Sequence, residues 1–364
     1  MTPKLLVLVS PQGDAMHRDV FETCVALRGA FDVLALVPRS QRRRYGAAGI
    51  ATKPFRAAGF LGMATSISTL RRAVRAFGPD VVHAHGFPAV AVALGTFPSS
   101  LARRTVATFH DPQRDRELPQ RLVERKLAGY LRRGAAIVAT YPSLARTIER
   151  RLALEPESIR VIPHGVDVPS GAPLGRPPGR PGPIVGWRGY LTADRSWETA
   201  IDAFALIVRR YPAARLVLSG SGGTRQFVAA QVRHKNLTGS VTFSPDGPAR
   251  DVFANVDLLV TPVSRDAQPH APLEALVWGV PVVAANVGAL AAALADYETG
   301  WLVPDDAAGF DEGVAAAWDA IDAAWAGAAG QRADAAATYG REVTVAAYRT
   351  LLDGLSRDAA SGPA

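Results

Sequence analysis

Short apolar runs recur along the chain, each followed by a turn marked by Gly or Pro and then by an amphipathic stretch. In the first half the runs predict strands at 4–9, 31–37, 81–85, 105–110, 136–140 and 159–162. Between them, apolar spacing of three and four residues predicts helices at 14–27, 64–77, 89–96, 118–132 and 143–151, the last capped by Ser143. The segment 38–63 carries Arg and Gly without a period and reads as a loose loop. The second half repeats the alternation, with strands at 184–188, 215–219, 241–243, 257–261, 280–285 and 300–303. Helices are predicted there at 197–211, 224–234, 248–255, from Pro272, near Leu290, and at 311–328 and 333–355. Strands that are apolar on both faces and separated by helices predict parallel sheets covered on both sides.

Residues 165–183, GVDVPSGAPLGRPPGRPGP, interrupt this alternation with Pro and Gly and few apolar anchors. They read as a linker. The expected organisation is a Rossmann-like domain over 1–165, a linker at 166–183, a second such domain over 184–342, and a C-terminal helix with a frayed tail at 343–364 that packs back on the first domain. The fold class is α/β, with two doubly wound Rossmann-like domains facing across a cleft. Such a cleft suits a substrate in two parts, one part per domain.

The stretch 257–290 draws attention within the second half. It reads strand, polar loop, helix, strand, turn, helix, with Ser264, Arg265, Asp266, Gln268 and His270 in the loop. Pro272 is expected to open the helix, which places Glu274 in its first turn. Open parallel sheets bind ligands beside the carboxyl ends of their strands, and helix N-termini favour anions.

Composition narrows the class. The chain of 364 residues is 48% hydrophobic and 20% charged, a globular balance. No apolar run reaches the length of a membrane span. The first ten residues lack the long apolar region and small-residue cleavage site of a signal peptide, so the expected location is the cytoplasm. The single cysteine, Cys24, lies in an apolar helical pattern and reads as a buried inert thiol. The net charge of +8 is uneven: residues 1–168 carry 25 Lys/Arg against 13 Asp/Glu, a net +12, and the remainder a net −4. This basic half implies peripheral contact with an anionic membrane, with phosphorylated substrates, or merely a solvated face. Zinc-finger spacing, RNA-binding signatures and a basic–aromatic stripe are missing, which argues against specific nucleic-acid binding. No His/Cys/Asp spacing suggests a dedicated metal site.

Several fragments resemble family 4 retaining glycosyltransferases of the GT-B fold. They are Ala107-Thr-Phe-His-Asp111, Ile159-Arg-Val-Ile-Pro-His-Gly-Val-Asp167, Gly189-Tyr-Leu-Thr-Ala-Asp-Arg195, Glu274-Ala-Leu-Val-Trp-Gly-Val-Pro-Val-Val283 and Gly300-Trp-Leu-Val-Pro304. They keep the family's order and span nearly the whole chain. The resemblance implies a nucleotide-diphosphate sugar of UDP or GDP type as co-substrate, with no obligatory cofactor or metal. It makes Glu274 the carboxylate that grips the nucleotide ribose, and puts the other glutamate of the family's pair at Asp266. His110 would hydrogen-bond the donor sugar near the reacting carbon. Arg195 would meet the diphosphate. Tyr190 replaces the family's arginine, and Arg188, two residues earlier on the same strand face, is the expected substitute. Gly13, Ser244, Leu273 and Gly288 complete the donor contacts that the resemblance implies. Its departures are Tyr190, Asp266, Pro269, Ala292 and Asp14, all toward the donor sugar. His83, His85 and His164 read as structural or peripheral. The loop Ser219-Gly-Ser-Gly-Gly223 lacks the Lys-Ser/Thr of a phosphate-binding loop and reads as a strand-end turn.

The implied activity is hexosyl transfer with retention, to a glycolipid, glycan or natural product. Two alternatives stay open: a catalytically degenerate GT-B protein that binds nucleotide or supports a partner enzyme, and another GT-B activity such as sugar-nucleotide epimerisation. The expected location is the cytoplasm, with peripheral contact at the inner membrane surface as the further reading of the basic half.

Overall fold

The computed structural model describes residues 2–10, 14–56, 59–110, 128–129, 135–171, 174–177, 180–191, 196–245, 247–262, 270–295, 297 and 300–360. They divide into two compact units: residues 1–165 with 341–364, and residues 166–340. Each is a doubly wound α/β domain built on a parallel sheet.

The first unit carries strands β1 (Lys4–Val9), β2 (Asp32–Val37), β3 (Ala51–Pro54), β4 (Val81–His85), β5 (Thr105–Phe109), β6 (Ala136–Ala139) and β7 (Arg160–Val161). Their order is β3-β2-β1-β4-β5-β6-β7. Strand β1 is flanked by β2 and β4, so the chain reverses its direction of growth between β1 and β4. The helix Asp14–Leu27 packs Met16, Val20, Cys24 and Leu27 onto the core of Leu5, Val7 and Val9. The C-terminal helix Arg341–Ala360 belongs to this unit and adds Tyr348, Leu351 and Leu352 to the same core. Burial pushes the Cys24 thiol up to about 12, with the charge of Asp19 adding to the effect, so the thiol is inert at neutral pH.

The second unit carries β8 (Ile184–Arg188), β9 (Arg215–Ser219), β10 (Val241–Ser244), β11 (Leu258–Thr261), β12 (Val282–Ala285) and β13 (Gly300–Val303). Their order is β10-β9-β8-β11-β12-β13, and the switch point falls between β8 and β11. The core joins Trp187, Leu216, Leu259 and Val283 of the sheet to Phe204 and Phe310 of the covering helices. Residues 166–171, read as linker, are part of this unit: Val166 bridges Gly340 in parallel.

The structure differs from the sequence reading at several places. The loop 38–63 holds a short helix, Arg42–Ala47, and the edge strand β3, whose alternating half-buried residues are too few to show a period. The helix Pro142–Leu152 is entered through Pro142 with Tyr141 as N-cap, so Ser143 lies inside the helix and caps nothing. The Ala-rich C-terminal stretch forms three helices rather than two: Ala307–Asp319, Ile321–Tyr339 and Arg341–Ala360. The last pair divides at Gly340, which is extended at φ −60° and ψ 138°, and a Cβ there would lie 2.5 Å from the Ala336 carbonyl oxygen, so the position favours glycine. The predicted helix 118–132 lies outside the described residues apart from Ala128 and Gly129, which are helical.

Candidate functional site

The carboxyl ends of β8, β9 and β10 converge on one constellation in the second unit. Arg188 is the last residue of β8, and sheet register sets it against Ser219 at the end of β9. Its guanidinium donates from Nε to Glu274 Oε2 at 2.8 Å and from Nη1 to Ser219 Oγ at 3.5 Å. Both side chains of the ion pair are nearly out of solvent, 5% exposed for Arg188 and 8% for Glu274. Ser219 Oγ donates onward to the Pro245 carbonyl at 3.3 Å, next to Ser244 at the end of β10. The strand ends and the helix that follows β11 therefore bring together one cation, one carboxylate and two hydroxyls.

Glu274 arrives from the helix His270–Trp278, which follows β11. This helix begins two residues earlier than Pro272, so Glu274 occupies its second turn, not the first. Pro272 is tolerated because the N–H groups of a first turn have no intrahelical partner. A carboxylate one turn deeper draws less support from the helix N-terminus. The facing guanidinium offers the stronger interaction. Leu273, beside it, is buried in the core of this unit.

The loop Ser219–Gly223 fixes the strand end that carries Arg188. The Gly189 N–H donates to the Ser219 carbonyl at 3.1 Å, the Leu191 N–H to Ser221 at 2.9 Å, and the Thr224 N–H to Leu191 at 3.2 Å. Cβ atoms at Gly220 and Gly222 would overlap the carbonyls of Gly189 and Leu191. These glycines allow two backbones to run in contact. Ser244 donates its hydroxyl to the neighbouring Pro245 carbonyl at 3.5 Å, and its own carbonyl accepts the Gly220 N–H at 3.3 Å. Gly288, at a φ of +36°, opens the short helix Gly288–Leu294.

His110 belongs to the first unit, where it follows β5. It is buried among histidines. His85 Nδ1 lies 3.0 Å from His110 Nε2, and His110 Nδ1 lies 3.5 Å from His164 Nε2. His164 Nδ1 in turn lies 2.9 Å from Asp19 Oδ2. His83 stacks on His85 at 3.8 Å between ring centres and shares a hydrogen bond of 2.8 Å with Thr108 Oγ1. Burial lowers His83 to about 3 despite the nearby charge of Asp19. Burial, followed by the neighbouring His83, His110 and His164, holds His85 well below the usual imidazole range. Both rings are thus neutral at pH 7.

Of the residues singled out from the sequence, the structure brings together Arg188, Glu274 and the β10 end at Ser244, and places Leu273 and Gly288 on neighbouring elements. His110 stands in the other unit. Gly13, Arg195 and Asp266 lie outside the described residues. Four residues beside these side chains were passed over in the sequence reading. Ser219 looked like part of a generic turn. His83, His85 and His164 were set aside as structural or peripheral, although the spacing His83-x-His85 at a strand end signals two side chains on one face.

Residues 16–169 match the family model described as Glycosyltransferase Family 4, and residues 182–319 match the one described as Glycosyl transferases group 1. The chain belongs to glycosyltransferase family 4. Among its family 4 relatives, a D-inositol 3-phosphate glycosyltransferase of Segniliparus rotundus is 30% identical over 42% of this chain and 37% of its own length. A glycogen synthase of Mycobacterium tuberculosis is 27% identical over 67% of this chain and 61% of its own length. The chain thus spans well under half of the first relative and under two thirds of the second. Solved structures of similar fold include Anabaena HepE in complex with UDP and glucose, with a TM-score of 0.76 and 16% identity over 96% of this chain and all of that one. A sucrose-phosphate synthase of Thermosynechococcus elongatus gives a TM-score of 0.77 at 19% identity over 98% of this chain and all of that one. These neighbours are GT-B glycosyltransferases, and they establish for this chain the two Rossmann-like domains of that fold.

Proposed function

We propose that the protein transfers a hexosyl unit, with retention, from a nucleoside-diphosphate sugar to a hydroxyl acceptor. The buried Arg188–Glu274 pair at the switch point of the second sheet carries this reading. A buried ion pair is a poor means of gaining stability, because desolvating two charges costs about as much as their attraction returns, several kcal/mol per ion. Its place at the carboxyl ends of the strands, beside the switch point, favours a role in binding. Arg188 would turn toward the departing diphosphate, and Glu274 would accept hydrogen bonds from a ribose diol. The Ser219 hydroxyl is placed to take over as a partner of whichever group is released.

In the transfer, the acceptor oxygen bonds to the anomeric carbon on the face that the diphosphate leaves. The carbon–oxygen bond to the phosphate breaks with its electron pair, and the acceptor proton passes to a phosphate oxygen. Protein groups then need only hold the reactants and stabilise the developing charge. No divalent metal is required for these steps. Arg195 is proposed as a second cation for the diphosphate, His110 as a contact of the sugar, and Asp266 as the second carboxylate. HepE, solved with UDP and with UDP-glucose, makes uridine the first base to try.

The test is a thermal-shift screen of UDP, GDP and ADP sugars followed by product analysis. A donor present at 100 times its dissociation constant should stabilise the protein by about 2.7 kcal/mol, and the wrong bases should not. Tight binding with no glycosylated product from any acceptor would instead support the non-catalytic reading, which Tyr190, Pro269 and Ala292 motivate. Converting Asp266 to Glu should lower turnover; a rise would mark Asp266 as a degraded position. For the basic first half, sedimentation with anionic and neutral liposomes tests membrane contact, and equal partition with both would remove it.

A further inference from the structure

The guanidinium of Arg188 is held by two acceptors that the fold constrains to different degrees. We propose that Ser219 is a positioning residue for Arg188: its hydroxyl anchors the guanidinium at Nη1 and keeps it at the strand ends when Glu274 turns to a nucleotide. Ser219 is then the permanent partner and Glu274 the exchangeable one. The proposal rests on the diphosphate-binding role assigned to Arg188 above.

The direction of these contacts follows from the groups themselves. A guanidinium only donates, and a main-chain carbonyl only accepts. Arg188 Nη1 donates to Ser219 Oγ at 3.5 Å, so the hydroxyl oxygen is the acceptor there. A hydroxyl carries one proton, and that of Ser219 goes to the Pro245 carbonyl at 3.3 Å. The two neighbours of Ser219 Oγ thus leave it one arrangement, and a guanidinium, a hydroxyl and a carbonyl keep their protons unchanged around neutral pH. Nε of the same guanidinium donates to Glu274 Oε2 at 2.8 Å. Two nitrogens of one planar group, bound to acceptors on β9 and on the helix His270–Trp278, set its plane; held by one alone, the group pivots.

Side-chain length decides which acceptor stays. Ser219 is completely buried, and its Oγ stands one bond beyond Cβ, so a single torsion places it. The Glu274 carboxylate stands at the end of three torsions. The backbone under Ser219 is also constrained. It pairs in register with Arg188, its carbonyl accepts the Gly189 N–H at 3.1 Å, and a Cβ at the following Gly220 would overlap the Gly189 carbonyl. When the carboxylate swings to a ribose diol, Arg188 therefore keeps one bond to an atom that the sheet holds in place. Without that hydroxyl the same swing releases the guanidinium, which spends part of its time turned from the diphosphate. The loss falls on the phosphate end of the ligand and spares the nucleoside end.

Ser219→Ala removes the anchor and leaves both charges in place. Binding of UDP and, separately, of uridine is measured on the full chain by titration calorimetry. UDP affinity should fall by about 10- to 100-fold, the range for one hydrogen bond to a charged group, while uridine affinity changes by less than about twofold. Parallel losses for the two ligands would reduce Ser219 to a support of the turn at Pro245 and overturn the proposal, as would an unchanged UDP affinity. A second readout needs no ligand. In nitrogen-labelled arginine spectra of the native protein, an Nη1 group bonded to Ser219 should rotate and exchange its protons slowly. Its resolved signals are assigned by their disappearance in Arg188→Met with Glu274→Leu, and they should average in Ser219→Ala. Averaged, rapidly exchanging Arg188 Nη1 protons in the native protein would overturn the proposal even if Ser219→Ala does not fold, and so would resolved signals that persist in that variant. Failure of the native protein to bind UDP or any other nucleoside diphosphate would refute the donor reading of the site, whereas the arginine spectrum decides separately whether Ser219 holds the guanidinium.

Discussion

Breaking the Arg188–Glu274 pair gives the most direct measure of what the second unit stores at its strand ends. Glu274→Ala leaves a guanidinium whose side chain is 5% exposed beside the Ser219 hydroxyl, without the carboxylate that sits 2.8 Å away. Uncompensated buried charge costs about 3–5 kcal/mol, a large part of the 5–15 kcal/mol that holds an ordinary domain together. Arg188→Ala should cost a similar amount by taking the guanidinium away from the buried carboxylate. Replacing both by apolar residues of comparable volume, Arg188→Met with Glu274→Leu, removes the two desolvation penalties together and should restore most of the loss. Measured on a closed cycle, with Arg188→Met and Glu274→Leu as the singles, two losses of about 3–5 kcal/mol against a nearly neutral double give a coupling of at least about 4 kcal/mol, well above the 0–1 kcal/mol of an exposed pair. The assay is convenient because all six tryptophans, at 187, 197, 278, 301, 318 and 325, fall in the second unit. Urea unfolding of the intact chain followed by tryptophan fluorescence therefore reports on that unit. A coupling below about 0.5 kcal/mol, or a double variant as unstable as the sum of the singles, would refute the claim that the pair is buried and mutually dependent. UDP affinity measured on the same variants then separates the binding role from stability. Loss of UDP binding in the stable double variant is the result expected of a ligand site.

Three further predictions bear on buried groups. His83 is lowered to about 3 in the folded state, so the unfolded chain binds an extra proton between about pH 6.5 and 3, and stability falls as the pH falls through that window. His83→Gln should flatten the acid side of the profile by one proton, about 1.4 kcal/mol per pH unit, in denaturation followed by circular dichroism; an unchanged slope would contradict it. Asp257 has the opposite sign. Burial raises its carboxyl despite the Ile184 N–H at 2.7 Å and the charges of Arg180 and Arg176, so its contribution is lost as the pH rises from 3.8 through the folded value. Asp257→Asn should abolish that decline in the tryptophan-detected profile, and a parallel profile would refute it. Gly86, at φ 80° and ψ 153°, passes so close to β1 that a Cβ would lie 2.7 Å from Ser10 Oγ. Gly86→Ala should cost about 1–3 kcal/mol and lower one calorimetric transition of the full chain, whereas an unshifted transition would show that the turn relaxes freely.

The alternation of short apolar runs with amphipathic stretches determined most of the architecture before any coordinates. Strands β1, β4, β8, β9 and β13 sit where their runs predict, because a strand buried on both faces must be apolar throughout. The edge strand β3 escaped, since an edge needs only alternate residues buried and four positions show no period. The division of the Ala-rich tail also escaped, because alanine favours helix everywhere and the break is one extended residue, Gly340. Glu274 and Arg188 were each legible by type and position. Their pairing was not, since 86 residues separate them and only the order β9-β8-β11 sets the helix after β11 against the end of β8. The histidine cluster of the first unit shows the same limit more strongly. Asp19, His85, His110 and His164 lie on four separate segments, and nothing local marks them as partners. Local composition dictates which segments become strands and helices, because burial and backbone hydrogen bonding act residue by residue. Which charges and imidazoles face one another depends on sheet order and register, and only the folded chain decides those.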